Sequence, residues 1–278
     1  MSARYPAGRG LVVREQVRLG RGPFRADDVR SGDPYEITNG HAVYCAPTGG
    51  SGSGPNGLGF SAVGWDPAVR EAGVATGYAP RPDTLRAPDV AIGNVPDKPG
   101  WVRGVPGLAI EYADVGQDEN ELQAKISDLL AAGTRYLWVV RLVGPRRVEV
   151  HEPGQPMRAA QPGQRLTAPG VLQNPVLVEA LYDRDEAERA TLTNLLQRRG
   201  YADLDSVLVQ GREQGRAEGI AEGRAASVIA VLEARGLAVS TAVRRRVAEC
   251  TDPAELDRLV RRAATVDDAA ALCDDDAR

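Results

Sequence analysis

The sequence predicts a mixed α/β (α+β) domain followed by an all-helical C-terminal tail. Three observations predict it: β-branched and aromatic runs between Tyr35 and His151, one helical repeat of apolar residues set among them after Asp118, and a shift past Tyr182 to sequence rich in Ala, Glu, Leu and Arg. At 278 residues, 42% of them hydrophobic, the chain can bury one sizeable core and still carry an appendage. The expected boundaries are a loosely ordered, Arg- and Gly-rich lead-in over 1–30, a globular domain over 31–182 and a helical tail over 183–278.

Tyr35 to Tyr44 carries Asn39-Gly40 between aromatic and β-branched residues, the strongest short-range signal of a hairpin. Thr48 to Gly59 is almost wholly Gly, Ser, Pro and Asn and predicts a flexible loop; its glycines do not sit between a strand and a helix as a phosphate loop requires. Only Phe60 to Ala72 could be helical there. Val90 to Ile92 and Leu108 to Ala113 read as core strands, joined by a Pro- and Gly-rich surface connection over 94–106. Leu122, Ile126, Leu129 and Leu130 recur at helical spacing and Ala132-Gly133 supplies the stop. Tyr136 to Val140 and Val148 to His151 add two strands around a Gly144-Pro145 turn.

In the tail, Asp185 to Gln197 and Ser206 to Arg235 predict helices, with glycines every four residues at Gly211, Gly215, Gly219 and Gly223. That stripe fits either a self-association helix, giving a homo-oligomer through residues 206–235, or a solvated linker. Two short helices follow, capped by Ser240 and by Asp252 ahead of Pro253.

A formal net charge of -4 provides no global attraction to nucleic acid, so such contact must come from a local patch. Cys45, Cys250 and Cys273 show no metal spacing and are too few for a disulfide framework, and no apolar run reaches the length of a membrane span, so a cytoplasmic protein is expected. Residues 1–20 hold four arginines and no sustained apolar run, which predicts no secretory signal. His41 and His151 stand apart from each other and from any nucleophile motif, Trp138 reads as core, and no basic-aromatic motif suggests RNA binding.

The chemistry concentrates in Pro88-Asp89, Glu111 and Lys125. Hard divalent cations take carboxylate oxygens, and a nearby ammonium can orient water and oppose charge building on a phosphate, so two acids and a lysine across strand, strand and helix point to metal-dependent phosphodiester cleavage. Glu111 sits amid Leu108, Ala109, Ile110 and Tyr112, where an ionised carboxylate needs a cation or lysine as partner unless it faces solvent at a sheet edge. Glu121 and Lys125 share a helix face, as a surface ion pair also would.

With those residues in hand, Tyr35 to Leu142 resembles the Uma-type endonuclease family of the PD-(D/E)XK restriction-endonuclease-like superfamily. The resemblance rests on Tyr35-Glu36-Ile37 with Asn39-Gly40, on Leu85 through Ala91, on Pro106 through Glu111, on Lys125, and on Gly133 through Val140. It implies a restriction-endonuclease-like mixed central sheet flanked by helices over 31–182, with Asp89 and Glu111 holding Mg²⁺ or Mn²⁺, Lys125 in place of the strand lysine where Ala113 stands, and Glu36 and Glu121 as auxiliary acids. The expected function is a divalent-metal-dependent endonuclease acting on DNA. The alternative is an inactive nuclease fold that serves as an assembly module through its tail, whose Gly211 to Arg262 region is similar to the ends of some transposase-associated PD-(D/E)XK proteins.

Overall fold

The computed structural model describes residues 21–273, and the chain divides into two compact units between Gly200 and Tyr201. Residues 1–20, with most of the expected lead-in and the stretch read as lacking a secretory signal, lie outside the described residues. The rest of the lead-in is packed rather than loose. Ala26 and Val29 are buried with Ile37, Ala79 and Leu85, and Trp101 Nε1 donates to the carbonyls of Ala26 at 2.9 Å and Val29 at 3.0 Å.

The first unit runs through β1 (Tyr35–Thr38), β2 (His41–Tyr44), α1 (Gly50–Gly64), β3 (Ala72–Val74), β4 (Tyr78–Arg81), β5 (Thr84–Arg86), β6 (Val90–Ile92), β7 (Leu108–Ala113), α2 (Glu119–Ala131), β8 (Tyr136–Arg141), β9 (Arg147–His151), β10 (Arg158–Ala160), β11 (Arg165–Leu166), β12 (Val176–Leu177) and α3 (Arg184–Arg198). The hairpin turns at Asn39 (φ 48°) and Gly40 (φ 79°), two left-handed positions that match the right-handed twist of the strands on either side. β1 and β2 belong to a four-stranded sheet in the order β2-β1-β5-β4.

The central sheet is six-stranded, in the order β10-β9-β8-β7-β6-β3. It is mixed because α2 carries the chain back over the sheet, so that β7 and β8 run parallel while their neighbours are antiparallel. Strand alternation then gives two cores. Val90, Ile92, Leu108, Ile110, Tyr112, Trp138 and Val140 pack with Ala62 and Val63 of α1 on one face. Ala109, Ala113, Leu137 and Val139 receive Leu122, Ile126 and Leu129 of α2 on the other. The mixed sheet flanked by helices agrees with the expected fold class, and Trp138 is fully buried as core.

The glycine-rich segment is helical from Gly50, not a loop. Propensity argues against this helix, but packing requires small residues in it: a Cβ at Gly59 would collide with the Tyr112 hydroxyl, and one at Gly52 would press on Thr48 and meet Asp114. Ser51 Oγ donates to Asp114 Oδ2 and fastens the helix start near the end of β7. α3 also departs from the expected boundary at 182. Its composition is that of the tail, yet Ala187 and Asn194 are buried, Asn194 Nδ2 donates to the Ala62 carbonyl at 2.9 Å, and Arg198 Nε donates to the Trp65 carbonyl at 2.8 Å.

The second unit comprises α4 (Leu204–Ala234), α5 (Thr241–Ala248) and α6 (Pro253–Ala263), packed through Val228, Leu232, Val247, Leu256 and Ala263. Ser240 and Asp252 cap α5 and α6, accepting from the amides of Val243 and Ala254. No helix among the described residues is long and apolar enough to cross a membrane.

Candidate active site

β6 and β7 pair with Val90 opposite Ile110 and Ala91 opposite Ala109. Asp89 immediately precedes β6, just beyond the last of these pairs, and its carboxylate lies close enough to Glu111 to raise that carboxyl. Asp89 is held at the strand end by the Tyr112 amide, which donates to Oδ2 at 2.7 Å. Glu111, only 6% exposed, lies between Ala109 and Ala113, whose small side chains let α2 approach. Its carboxylate is therefore buried beneath the helix, not at a solvent-facing edge.

Lys125 descends from α2 into this space. Its Nζ stands 3.0 Å from Glu111 Oε1 and 2.9 Å from Glu36 Oε1, and it donates to the Ala87 carbonyl at 2.8 Å. The Glu111 contact lies at ion-pair distance but off the hydrogen-bonding direction, so Oε1 is buried without a hydrogen-bond donor. Two of the carboxyls near this ammonium, Glu111 and Asp89, titrate above their ordinary values. Burial raises the Glu111 carboxyl to about 8, with Asp89 and Glu36 adding to the rise and Lys125 opposing it. Asp89 is raised above the ordinary carboxylate value by burial as well, against the pull of Lys125. For Lys125 burial acts downward, but Glu111, Glu36 and Asp89 outweigh it and hold the ammonium above the usual lysine value.

Glu36, expected as an auxiliary acid, is at the centre of a second network. It accepts from the Ala87 amide at 3.1 Å and from Arg86 Nη1 at 3.1 Å, besides pairing with Lys125. Arg86 is 1% exposed and also donates through Nε and Nη2 to Asp128 Oδ2, at 2.9 Å and 2.8 Å; Thr38 Oγ1 donates to the same oxygen at 2.9 Å. Lys125 and Asp128, three apart on α2, thus hold β1, β5 and β7 to one helix face. Glu121 has a different environment: it is half-buried, its Oε2 has no hydrogen-bond partner, and Lys125 pairs with Glu36 and Glu111 instead.

Sequence reasoning missed Arg86, Asp128 and Asn56. Arg86 lies three residues before Asp89, and Asp128 shares the Lys125 face of an amphipathic helix, so both carried a positional signal. Asn56 gave none, because its segment read as a loop; on α1 its side chain hydrogen-bonds Asp89 while its Oδ1 stays buried without a partner.

The donors suit a hard divalent cation of the Mg²⁺ type. Such an ion is commonly held by one or two carboxylates, with water and phosphate oxygens completing its shell. Asp89 and Glu111 provide two neighbouring carboxylates, and Glu111 Oε1 accepts no protein hydrogen bond although the Lys125 ammonium lies 3.0 Å from it. Among the described residues no group of three or more His, Cys, Asp or Glu side chains is placed to hold a metal ion, so a closed all-protein cage is not available.

No protein-family model matches the chain, and no curated protein does. Among solved structures, the chain is similar to a protein from Anabaena variabilis ATCC 29413 described as a "putative nuclease belonging to DUF820", with 17% sequence identity, 59% of this chain and 99% of that chain covered, and a TM-score of 0.49. At that distance the likeness carries no argument about the chemistry of Asp89, Glu111 and Lys125, which rests on their own geometry.

Proposed function

We propose that this chain is a divalent-metal-dependent nuclease that hydrolyses phosphodiester bonds of DNA. The observation that supports the reading is the buried Glu111 carboxylate with the Lys125 ammonium 3.0 Å away and Asp89 near enough to raise it. Asp89 and Glu111 would hold Mg²⁺ or Mn²⁺; bound there, the ion would supply a water of lowered pKa and offset charge on the phosphate. Asp89 is oriented for this by the Tyr112 amide and Asn56. Lys125 keeps its proton throughout, since the acids around it hold its pKa high, and its role is to orient the attacking water and to face the charge that builds on the non-bridging oxygens. Glu36 and the Ala87 carbonyl fix the position of that ammonium, and Arg86 and Asp128 fix Glu36 and the helix. The new bond joins a water oxygen to phosphorus as the bond to the leaving sugar oxygen breaks, with no covalent link to the protein.

One observation favours the second reading, a nuclease fold kept as an assembly module. Two carboxylates and the Ala87 carbonyl lie within 3.0 Å of the Lys125 ammonium, so protein groups already meet its charge without substrate. Cleavage of supercoiled plasmid and of single-stranded DNA with Mg²⁺ or Mn²⁺ separates the two. Metal-dependent nicking by the wild type, lost in folded Glu111→Gln and Lys125→Ala, is the nuclease result; no nicking by the wild type, or nicking that survives both substitutions, leaves the assembly reading.

A further inference from the structure

α4 is 31 residues long, but only its C-terminal part packs in the second unit, through Ala225, Val228 and Leu232. Every residue from 208 to 220 is exposed, a helical stretch of about 20 Å at 1.5 Å per residue. A helix this bare is not stabilised by its own sequence. Gly211, Gly215, Gly219 and Gly223 each disfavour it by about 1 kcal/mol against alanine, and an added Cβ at any of the four would meet open space, so no packing among the described residues calls for glycine there.

The charges disfavour it too. Arg212 and Arg216 stand four apart on one side of the glycine stripe, and Glu218 and Glu222 four apart on the other; like charges at this spacing repel within a helix by a few tenths of a kcal/mol each. Following 100° per residue, the positions three before successive glycines are Leu208, Arg212, Arg216 and Ile220, and those three after are Gln214, Glu218, Glu222 and Ala226. One flank is basic between two apolar residues, and the other is acidic. Leu208 and Ile220 are 48% and 44% exposed.

We propose that residues 204–223 of α4 are a docking surface for a second copy of this chain, the two helices lying parallel and in register with their glycine stripes in contact. Orientation follows from symmetry. A twofold axis along the helices turns the basic flank of each copy onto the acidic flank of the other, so that Arg212 and Arg216 meet Gln214, Glu218 and Glu222. An antiparallel pair would set arginine against arginine and glutamate against glutamate. Glycine allows the backbones the close approach that brings both flanks within reach and buries Leu208 and Ile220. This pairing does not depend on the nuclease reading, since none of its residues belongs to that site.

Sedimentation of the full chain tests it, with circular dichroism confirming that each variant retains its helices. The wild type is expected to be a dimer that Glu218→Arg/Glu222→Arg dissociates, raising the dimer Kd tenfold or more; adding Arg212→Glu/Arg216→Glu to that variant is expected to restore the dimer. In a chain whose native cysteines are replaced by serine, Gly211→Cys and Gly223→Cys should each form a disulfide with its own counterpart. A wild-type monomer, a dimer indifferent to charge reversal, or cross-links that form only when the two cysteine variants are mixed would overturn the parallel pair.

Discussion

Lys125→Met leaves Glu111, 6% exposed, without the ammonium beside it, and leaves Glu36 to Arg86 alone. Removing one partner of a buried, hydrogen-bonded ion pair costs about 3–5 kcal/mol, because the remaining charge is left uncompensated. For a unit of this size that corresponds to a fall in Tm of roughly 6–20 °C, at about 2–4 °C per kcal/mol. The loss should depend on pH. Without Lys125 the Glu111 carboxyl can lower its cost by taking up a proton, as it already does near 8 in the native protein. The deficit is therefore larger at pH 9, where the wild-type Glu111 is ionised beside Lys125, than at pH 5, where Glu111 is protonated in both proteins and needs no cation. Urea unfolding followed by tryptophan fluorescence reads this unit alone, since Trp65, Trp101 and Trp138 all precede Gly200. A deficit under about 1 kcal/mol, or one that is the same at pH 5 and pH 9, refutes the claim that Lys125 neutralises a buried acid cluster.

Glu111→Gln tests the acid itself. A carboxyl whose folded value is about 8, above its ordinary 4.5, binds more proton in the native state between those values, so the wild type should lose stability as pH rises across that window, by up to about 1.4 kcal/mol per pH unit. The glutamine variant should lose this slope and become the more stable protein at pH 9; parallel pH profiles would show that Glu111 titrates normally. The two kinds of glycine in α1 should also part company. Gly59→Ala meets the Tyr112 hydroxyl and should destabilise by about 1–3 kcal/mol, the cost of overpacking a filled core, whereas Gly57→Ala, with open space around it, should stabilise by about 0.5–1 kcal/mol. Thermal melts that rank the two variants the other way would contradict the packing account of this helix.

The strands and α2 were legible because they carry strong local signals: Asn39-Gly40 for the hairpin, apolar runs at β6 and β7, and the spacing of Leu122, Ile126 and Leu129. Glu111 within its apolar run pointed to either a buried acid with a cation partner or a solvent-facing edge, and the structure buries it with Lys125 beside it. The glycine-rich segment was not legible, because the helix there is set by close approach to Tyr112 and Asp114, contacts that lie 53 and 62 residues away in sequence and leave no local trace. For the same reason Asn56 gave no sign of reaching Asp89. The partner of Lys125 was only half visible: helical spacing offered Glu121, while Glu36 is brought in from β1 by the packing of α2 against the smaller sheet. Composition also placed α3 with the tail, since its two buried positions, Ala187 and Asn194, are too few to give a clear apolar repeat.

Titration of Mn²⁺ into the full chain, read by electron paramagnetic resonance of the free ion, tests the central claim most directly, because it asks whether Asp89 and Glu111 bind a cation before any question of substrate arises. The account predicts one strong site per chain, lost in Asp89→Asn and in Glu111→Gln and unaffected by Gly57→Ala. Binding of equal strength in all four proteins, or no binding by the wild type, would contradict it.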